Sequence, residues 1–259
     1  MNRLGKFFRK TYDKILDIFF PIDKKCIFCN KEIVDFKEKP YCESCEKEVF
    51  NNGNKCIKCD TKIKDGNIIC DNCKSHKRNF EKCLCPLNYE NNVRKSILKF
   101  KDDNAIYLAK SYAKIIYEYL NQHQIKFDVV TFVPSHKSKI KKRGYNPAQV
   151  LAEELSKLLC IEVKETLVKV SLTKSQKTLS FADRQQNLKN SIIVTNSKSI
   201  KSKTILLVDD IITTCATVDY CSKLLKDYAN KVFVCSIARN HITKNDIKNL
   251  NSDKKMIEI

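Results

Sequence analysis

The chain has 259 residues, of which 42% are apolar, enough for one sizeable core with a smaller module beside it. No apolar run approaches the ~20 residues of a bilayer-spanning helix, and Arg9, Lys10, Lys14 and Asp17 break up the apolar N-terminus, so a cytoplasmic protein is expected. A net charge of +19 favours polyanions, nucleic acid or anionic lipid, although a composition rich in Lys, Asn and Ile raises lysine throughout the chain.

Over residues 1–20, Leu4, Phe7, Phe8, Ile15, Leu16 and Phe19 recur at helical spacing opposite Arg3, Lys6 and Lys14. This predicts a basic amphipathic helix, which either packs on its own protein or makes a peripheral membrane contact. Residues 21–80 follow, and cysteine dominates them: ten of the 14 cysteines lie between Cys26 and Cys85, eight of them in Cys-x-x-Cys pairs. Without an export signal these read as metal ligands rather than disulfides. The pairs are Cys26/Cys29, Cys42/Cys45, Cys56/Cys59 and Cys70/Cys73, and two intervening residues let both thiolates of a pair face one ion. Eight thiolates predict two closed, structural zinc sites. Sequential pairing, giving a double zinc ribbon, and a cross-braced arrangement are both open. His76 is surplus to sites filled by cysteine, and Cys83 and Cys85 read as core side chains.

From about residue 81 to 240 the pattern changes to helices alternating with apolar strands. Helices are predicted at Asn91–Phe100, Asp103–Asn121 and Asn146–Leu159, and strands at Phe127–Val133, Ser191–Thr195, Lys203–Val208 and Lys231–Ile237. This is α/β patterning, with a largely parallel sheet covered by helices on both faces. Residues 241–259 form a C-terminal tail.

Two stretches carry chemistry. The first strong strand runs into Val133-Pro134-Ser135-His136-Lys137, then a basic run to Arg143 that includes Lys139, Lys141 and Lys142, then Gly144-Tyr145-Asn146. Clustered cations beside Tyr145 suit a single strand, with phosphates on the cations and a base stacked on the ring. In the second, the strand ending at Val208 delivers Asp209 and Asp210, a hydroxyl-rich turn follows through Thr213, Thr214, Cys215, Ala216 and Thr217, and an amphipathic helix begins. A turn at the carboxyl edge of a sheet that opens a helix offers backbone amides to a phosphate, while paired carboxylates suit a sugar's vicinal hydroxyls. The implied ligand is a sugar phosphate.

The second stretch resembles the phosphoribosyl pyrophosphate (PRPP) loop of type I phosphoribosyltransferases. With the Cys-x-x-Cys pairs, Tyr89, Val93-Arg94, Lys99-Phe100-Lys101, Arg143-Gly144-Tyr145-Asn146, Thr173, Gln176, Arg184 and Asn187, the chain resembles the ComF competence family from about Phe20 to Arg239. The resemblance implies a type I phosphoribosyltransferase-like domain behind a zinc-ribbon module. It also implies a role in natural transformation, with single-stranded DNA, PRPP with Mg²⁺, and competence and DNA-uptake proteins as partners. Asp209 and Asp210 become ribose or Mg²⁺ contacts, and Ser135, His136, Lys137 and Arg143 become pyrophosphate contacts. Arg184 belongs to a segment, Ser171–Asn187, expected to cover the ligand. A nucleobase salvage phosphoribosyltransferase is the alternative, and turnover is left open. Cys215 stands where the family's loop has glycine, which predicts a thiol intruding near the phosphate and a weakened site.

Overall fold

The computed structural model describes residues 25–33, 39–50, 52–171 and 191–240. The predicted N-terminal helix, Arg184 with its covering segment, and the C-terminal tail lie outside them. The chain divides into two compact units, Met1–Glu48 and Val49–Ile259, so the boundary falls between the second and third cysteine pairs.

In the first unit, Cys26 opens a tight knuckle. Its amide donates to the Lys31 carbonyl at 2.7 Å, Asn30 N–H returns to the Cys26 carbonyl at 2.9 Å, and Asn30 takes a left-handed φ of 62°. Helix α1 (Glu43–Val49) begins directly after Cys42. The second unit opens with the same device: Cys56 N–H donates to the Thr61 carbonyl at 2.8 Å, and Asp60 has φ 58°. A one-turn helix, α2 (Asp71–Ser75), lies between Cys70 and the loop to the sheet.

The main sheet is wholly parallel. Its strands are β1 (Cys83–Leu84) and β2 (Leu87–Asn88), both paired to β7 (Lys231–Arg239), then β6 (Thr204–Ile212), then β3 (Val129–Phe132). Ile205 and Leu207 face one core cluster, while the equally buried Leu206 and Val208 point to the opposite face, so both faces are covered. Helices α3 (Asn91–Asp102) and α4 (Leu108–Asn121) follow β2. Helix α6 (Pro147–Leu159) packs on α4, β3 and β6, and α7 (Ala216–Lys226) packs on β6 and β7.

Three elements differ from the sequence reading. The basic run is a helix, α5 (Lys137–Arg143), stopped by Gly144 at φ 91°. The strand expected at Ser191–Thr195 is β5 (Ile192–Val194), which pairs antiparallel with β4 (Leu167–Lys169) outside the main sheet; its exposed Ile193 is incompatible with a strand covered on both faces. Strand β6 continues past Val208 to Ile212, because Asp209 and Ile211 keep their register with β7.

Candidate functional site

The cysteine sulfurs gather in chain order. Cys26, Cys29, Cys42 and Cys45 lie within 4.8 Å of one another, as do Cys56, Cys59, Cys70 and Cys73, and these are the only such groups among the described residues. Four convergent thiols from two knuckles fit a tetrahedral ion with no open position. The second set is embedded in the α/β core: Cys56 and Cys59 are fully buried in the cluster that holds Ile205, Leu207 and Val218. Two buried arginines reach it, Arg78 Nε donating to Cys73 Sγ at 3.5 Å and Arg239 Nη2 lying 3.9 Å from Cys59 Sγ. Guanidiniums beside thiols are the environment expected of an anionic metal tetrathiolate.

The second centre lies at the carboxyl edge of the sheet. Because β3 and β6 are parallel neighbours, with Phe132 opposite Val208 and Val133 N–H donating to the Val208 carbonyl at 2.9 Å, the chain after β3 emerges beside Asp209 and Asp210. Their backbone folds onto the carboxylates: Asp210 N–H donates to Asp209 Oδ1 at 2.9 Å and Ile211 N–H to Asp210 Oδ1 at 2.7 Å. Lys101, from the end of α3, pairs with Asp210 at 2.8 Å. Burial and the Asp210 charge push the Asp209 carboxyl well above the usual carboxylate range, with Lys101 opposing. Burial would also raise Asp210, but the Lys101 ammonium outweighs it and holds that carboxyl low. The two carboxyls are therefore pushed in opposite directions, Asp209 up and Asp210 down.

Lys101 was quoted above only as part of a resemblance. Its position was legible in the helical period: Val93, Ile97 and Lys101 are spaced by four, so the cation continues the buried stripe of α3. Lys169, on β4 at a position where the family tends to have arginine, has its ammonium disfavoured by burial and by Lys139 and favoured by Cys221 and Asp209.

Thr213 and Thr214 form the turn, and Ala216 and Thr217 begin α7, with Ala216 N–H capped by Thr214 Oγ1 at 3.4 Å. Cys215 does take the glycine-like conformation, φ 66° and ψ 1°. The expected intrusion near the phosphate is not what the structure shows. The thiol is buried and turned into the core, accepting from Arg239 Nη1 at 3.0 Å and contacting the Cys59 and Cys83 thiols. A side chain at the head of an inward-packed helix has the hydrophobic cluster on one side, and the thiol takes that side.

On the other loop, His136 caps α5, its ring accepting from Ser138 N–H, and Ser135 Oγ donates to Asn146 Oδ1 at 3.1 Å. Asn146 also caps α6 and donates to the Val133 carbonyl at 3.0 Å, so one side chain sets the span between β3 and α6. Lys137, Lys139, Lys141 and Lys142 are exposed along α5, and Arg143 pairs with Asp102 at 3.0 Å. Tyr145 corrects the sequence reading. It is a core residue, packed 6.0 Å from Phe100 with its hydroxyl donated to the Phe100 carbonyl, and cannot stack on a base in this conformation. Gly144 turns the chain inward and carries the ring with it. Beside that end of α5 lies the α3–α4 turn, where Tyr107 is 75% exposed.

Residues 104–258, which include the parallel β3 and β6 and the paired carboxylates at their carboxyl edge, match the family model described as "Phosphoribosyl transferase domain", so this is a phosphoribosyltransferase domain. Competence protein F of Haemophilus influenzae is 30% identical over 209 residues, spanning 78% of this chain and 90% of that protein. The chain therefore belongs to the competence protein F family. The DNA utilization protein YhgH of Escherichia coli is 22% identical over 190 residues, 71% of this chain and 83% of that one. Among solved structures, phosphoribosylpyrophosphate synthetase from Mycobacterium smegmatis is 19% identical with TM-score 0.34, covering 53% of this chain and 36% of that one. Purine phosphoribosyltransferase from Pyrococcus horikoshii is 13% identical with TM-score 0.33, covering 51% and 83%. Among the described residues no helix is long and apolar enough to cross a membrane.

Proposed function

We propose that this is a cytoplasmic competence protein that aids DNA uptake in natural transformation, binding PRPP or a related phosphoribosyl ligand and single-stranded DNA. The observation that carries the reading is the meeting of the Asp209–Asp210 pair with the cationic chain after β3 at one sheet edge. Asp209 and Asp210 take the ribose hydroxyls or Mg²⁺, and the 213–217 turn takes the 5′-phosphate. Ser135, His136, Lys137, Arg143 and Arg184 are assigned to the pyrophosphate. Mg²⁺, when bound, spreads the pyrophosphate charge. Zinc fills both cysteine clusters. The names of the two curated relatives, a competence protein and a DNA utilization protein, support the DNA role.

Single-strand contact is assigned to Lys139, Lys141 and Lys142, all exposed on α5. The exposed Tyr107 takes the stacking role that the buried Tyr145 cannot fill. The test is titration of the full chain with PRPP and Mg²⁺ and with a labelled oligothymidine, separately and together. Replacing the three lysines together should weaken oligonucleotide binding and flatten the log K against log[salt] slope by about 2, at ~0.7 per phosphate contact. It should leave the fold intact. Unchanged affinity and slope would assign the charge to composition alone.

A further inference from the structure

The turn that heads α7 is tied to the second cysteine cluster by two independent bridges. In the first, Arg239 closes β7 opposite Ile212, its guanidinium buried, with Nη1 at 3.0 Å from Cys215 Sγ and Nη2 at 3.9 Å from Cys59 Sγ. Its Nε has no hydrogen-bond partner among the described residues, so the sulfurs are its hydrogen-bond contacts. In the second, Arg78 donates to Cys73 Sγ at 3.5 Å. The adjacent Asn79 donates its backbone N–H at 2.7 Å and its Nδ2 at 3.1 Å to Asp219, buried in the first turn of α7. The helix that presents its N-terminus to the phosphate is thus anchored at both Cys215 and Asp219.

A zinc ion with four thiolates carries two net negative charges, and the two guanidiniums stand against it. A buried guanidinium is tolerated only while it faces an anionic or well-bonded partner. Loss of the metal removes the fixed anionic cluster and leaves both arginines to find other partners. Cys215, bonded to Arg239 and held at φ 66° where a side chain is strained, then loses the contact that offsets that strain.

We infer that Arg239 and Cys215 are positioning residues through which zinc at the second cluster holds the 213–217 turn in its binding conformation, so that metal occupancy and phosphoribosyl affinity are linked. The identity of the ligand rests on the function proposed above; the link between metal and turn does not. Linkage is reciprocal, so a ligand on the turn also slows release of this zinc.

The experiment is amide hydrogen exchange on the zinc-loaded full chain, with a chelator added stepwise and released zinc counted by a chromophoric dye. Exchange across 55–62 reports opening of the second cluster. As it opens, exchange across 211–217 should rise roughly tenfold or more, the equivalent of one lost charge-assisted hydrogen bond, while 205–208 of β6 keep their protection. An equal rise in 205–208 would be global unfolding and would overturn the inference. Arg239→Lys should raise exchange of the turn with zinc still bound. Cys215→Gly should make the turn insensitive to the metal, whereas Cys215→Ser, which keeps an acceptor for Arg239, should remain responsive. If 55–62 opens while the turn exchanges as before, or Arg239→Lys with zinc bound behaves like the parent, the inference is overturned. If PRPP with Mg²⁺ gives the zinc-loaded turn no protection, the phosphoribosyl reading fails while the metal link stands or falls on the chelation series.

Discussion

The two cysteine knuckles are built alike and housed differently. Each returns a peptide N–H to the carbonyl of its first cysteine, and each spends one left-handed residue to do so, Asn30 in the first and Asp60 in the second. Asn30 is exposed. Asp60 is buried, and its carboxylate accepts from Cys85 N–H at 2.8 Å and from the Tyr119 hydroxyl at 2.9 Å, with Lys55 donating to that hydroxyl at 2.7 Å. The same position that closes a turn in one knuckle docks the other onto β1 and α4. A metal knuckle is therefore a local device in one place and a component of the domain core in the other.

The largest break in this comparison comes from the ligands themselves. Cys56→Ser should cost one zinc and strongly lower the unfolding transition of residues 49–259, because structural zinc contributes about 10–16 kcal/mol in isolated peptides, comparable to the ~5–15 kcal/mol that holds most domains, and this site lies in the core. Cys26→Ser should cost one zinc while leaving a cooperative unfolding transition for residues 49–259. Metal content and thermal melts followed by near-ultraviolet circular dichroism read both, and an unshifted transition in Cys56→Ser would show the second knuckle to be as separable as the first.

A smaller contrast uses the closing residues. Asp60→Ala strands two buried donors and should lower stability by about 2–3 kcal/mol, whereas Asn30→Asp, at an exposed site that tolerates left-handed backbone, should stay within about 0.5 kcal/mol. Denaturant midpoints at constant m-value measure both. Equal losses would remove the distinction between docking and turn closure.

The smallest effect sharpens the comparison from the ligand side, where α7 is tied to the second knuckle but the carboxylates are set by α3. Lys101 holds the Asp210 carboxyl low and opposes the rise of Asp209. In the parent, PRPP–Mg²⁺ affinity that needs an ionised Asp210 is lost as pH falls through that depressed value. Without the cation both carboxyls rise, so Lys101→Met should move the acid limb of binding upward by about one to three pH units, the range for removal of an adjacent opposite charge. Zinc content should not change. An acid limb that stays in place would show that the ion pair does not govern the site.

Much of this was legible in the chain because strong periodicity survives tertiary context. The apolar run before Asp209 is a central strand, and the Cys-x-x-Cys spacing does gather two sets of four thiols. What escaped was the direction of single side chains. Residues 21–80 look too poor in apolar groups to join a core, yet the cysteines are themselves that apolar content, with Cys56 and Cys59 fully buried. Tyr145 follows a basic run and a glycine, a surface signature, but the carbonyl of Phe100, forty-five residues earlier, supplies its hydroxyl with an acceptor inside. Cys215 and Arg239 meet only because β6 and β7 are paired, and neither position carries a local signal for the other.

That last contact changes what a substitution at the turn would mean. With glycine at 215, Arg239 would lose its nearest sulfur and stand buried with donors unmet; with cysteine at 215 and a neutral residue at 239, the thiol would keep the backbone strain without the bond that offsets it. The two positions are therefore coupled: the effect of a substitution at one depends on which residue stands at the other.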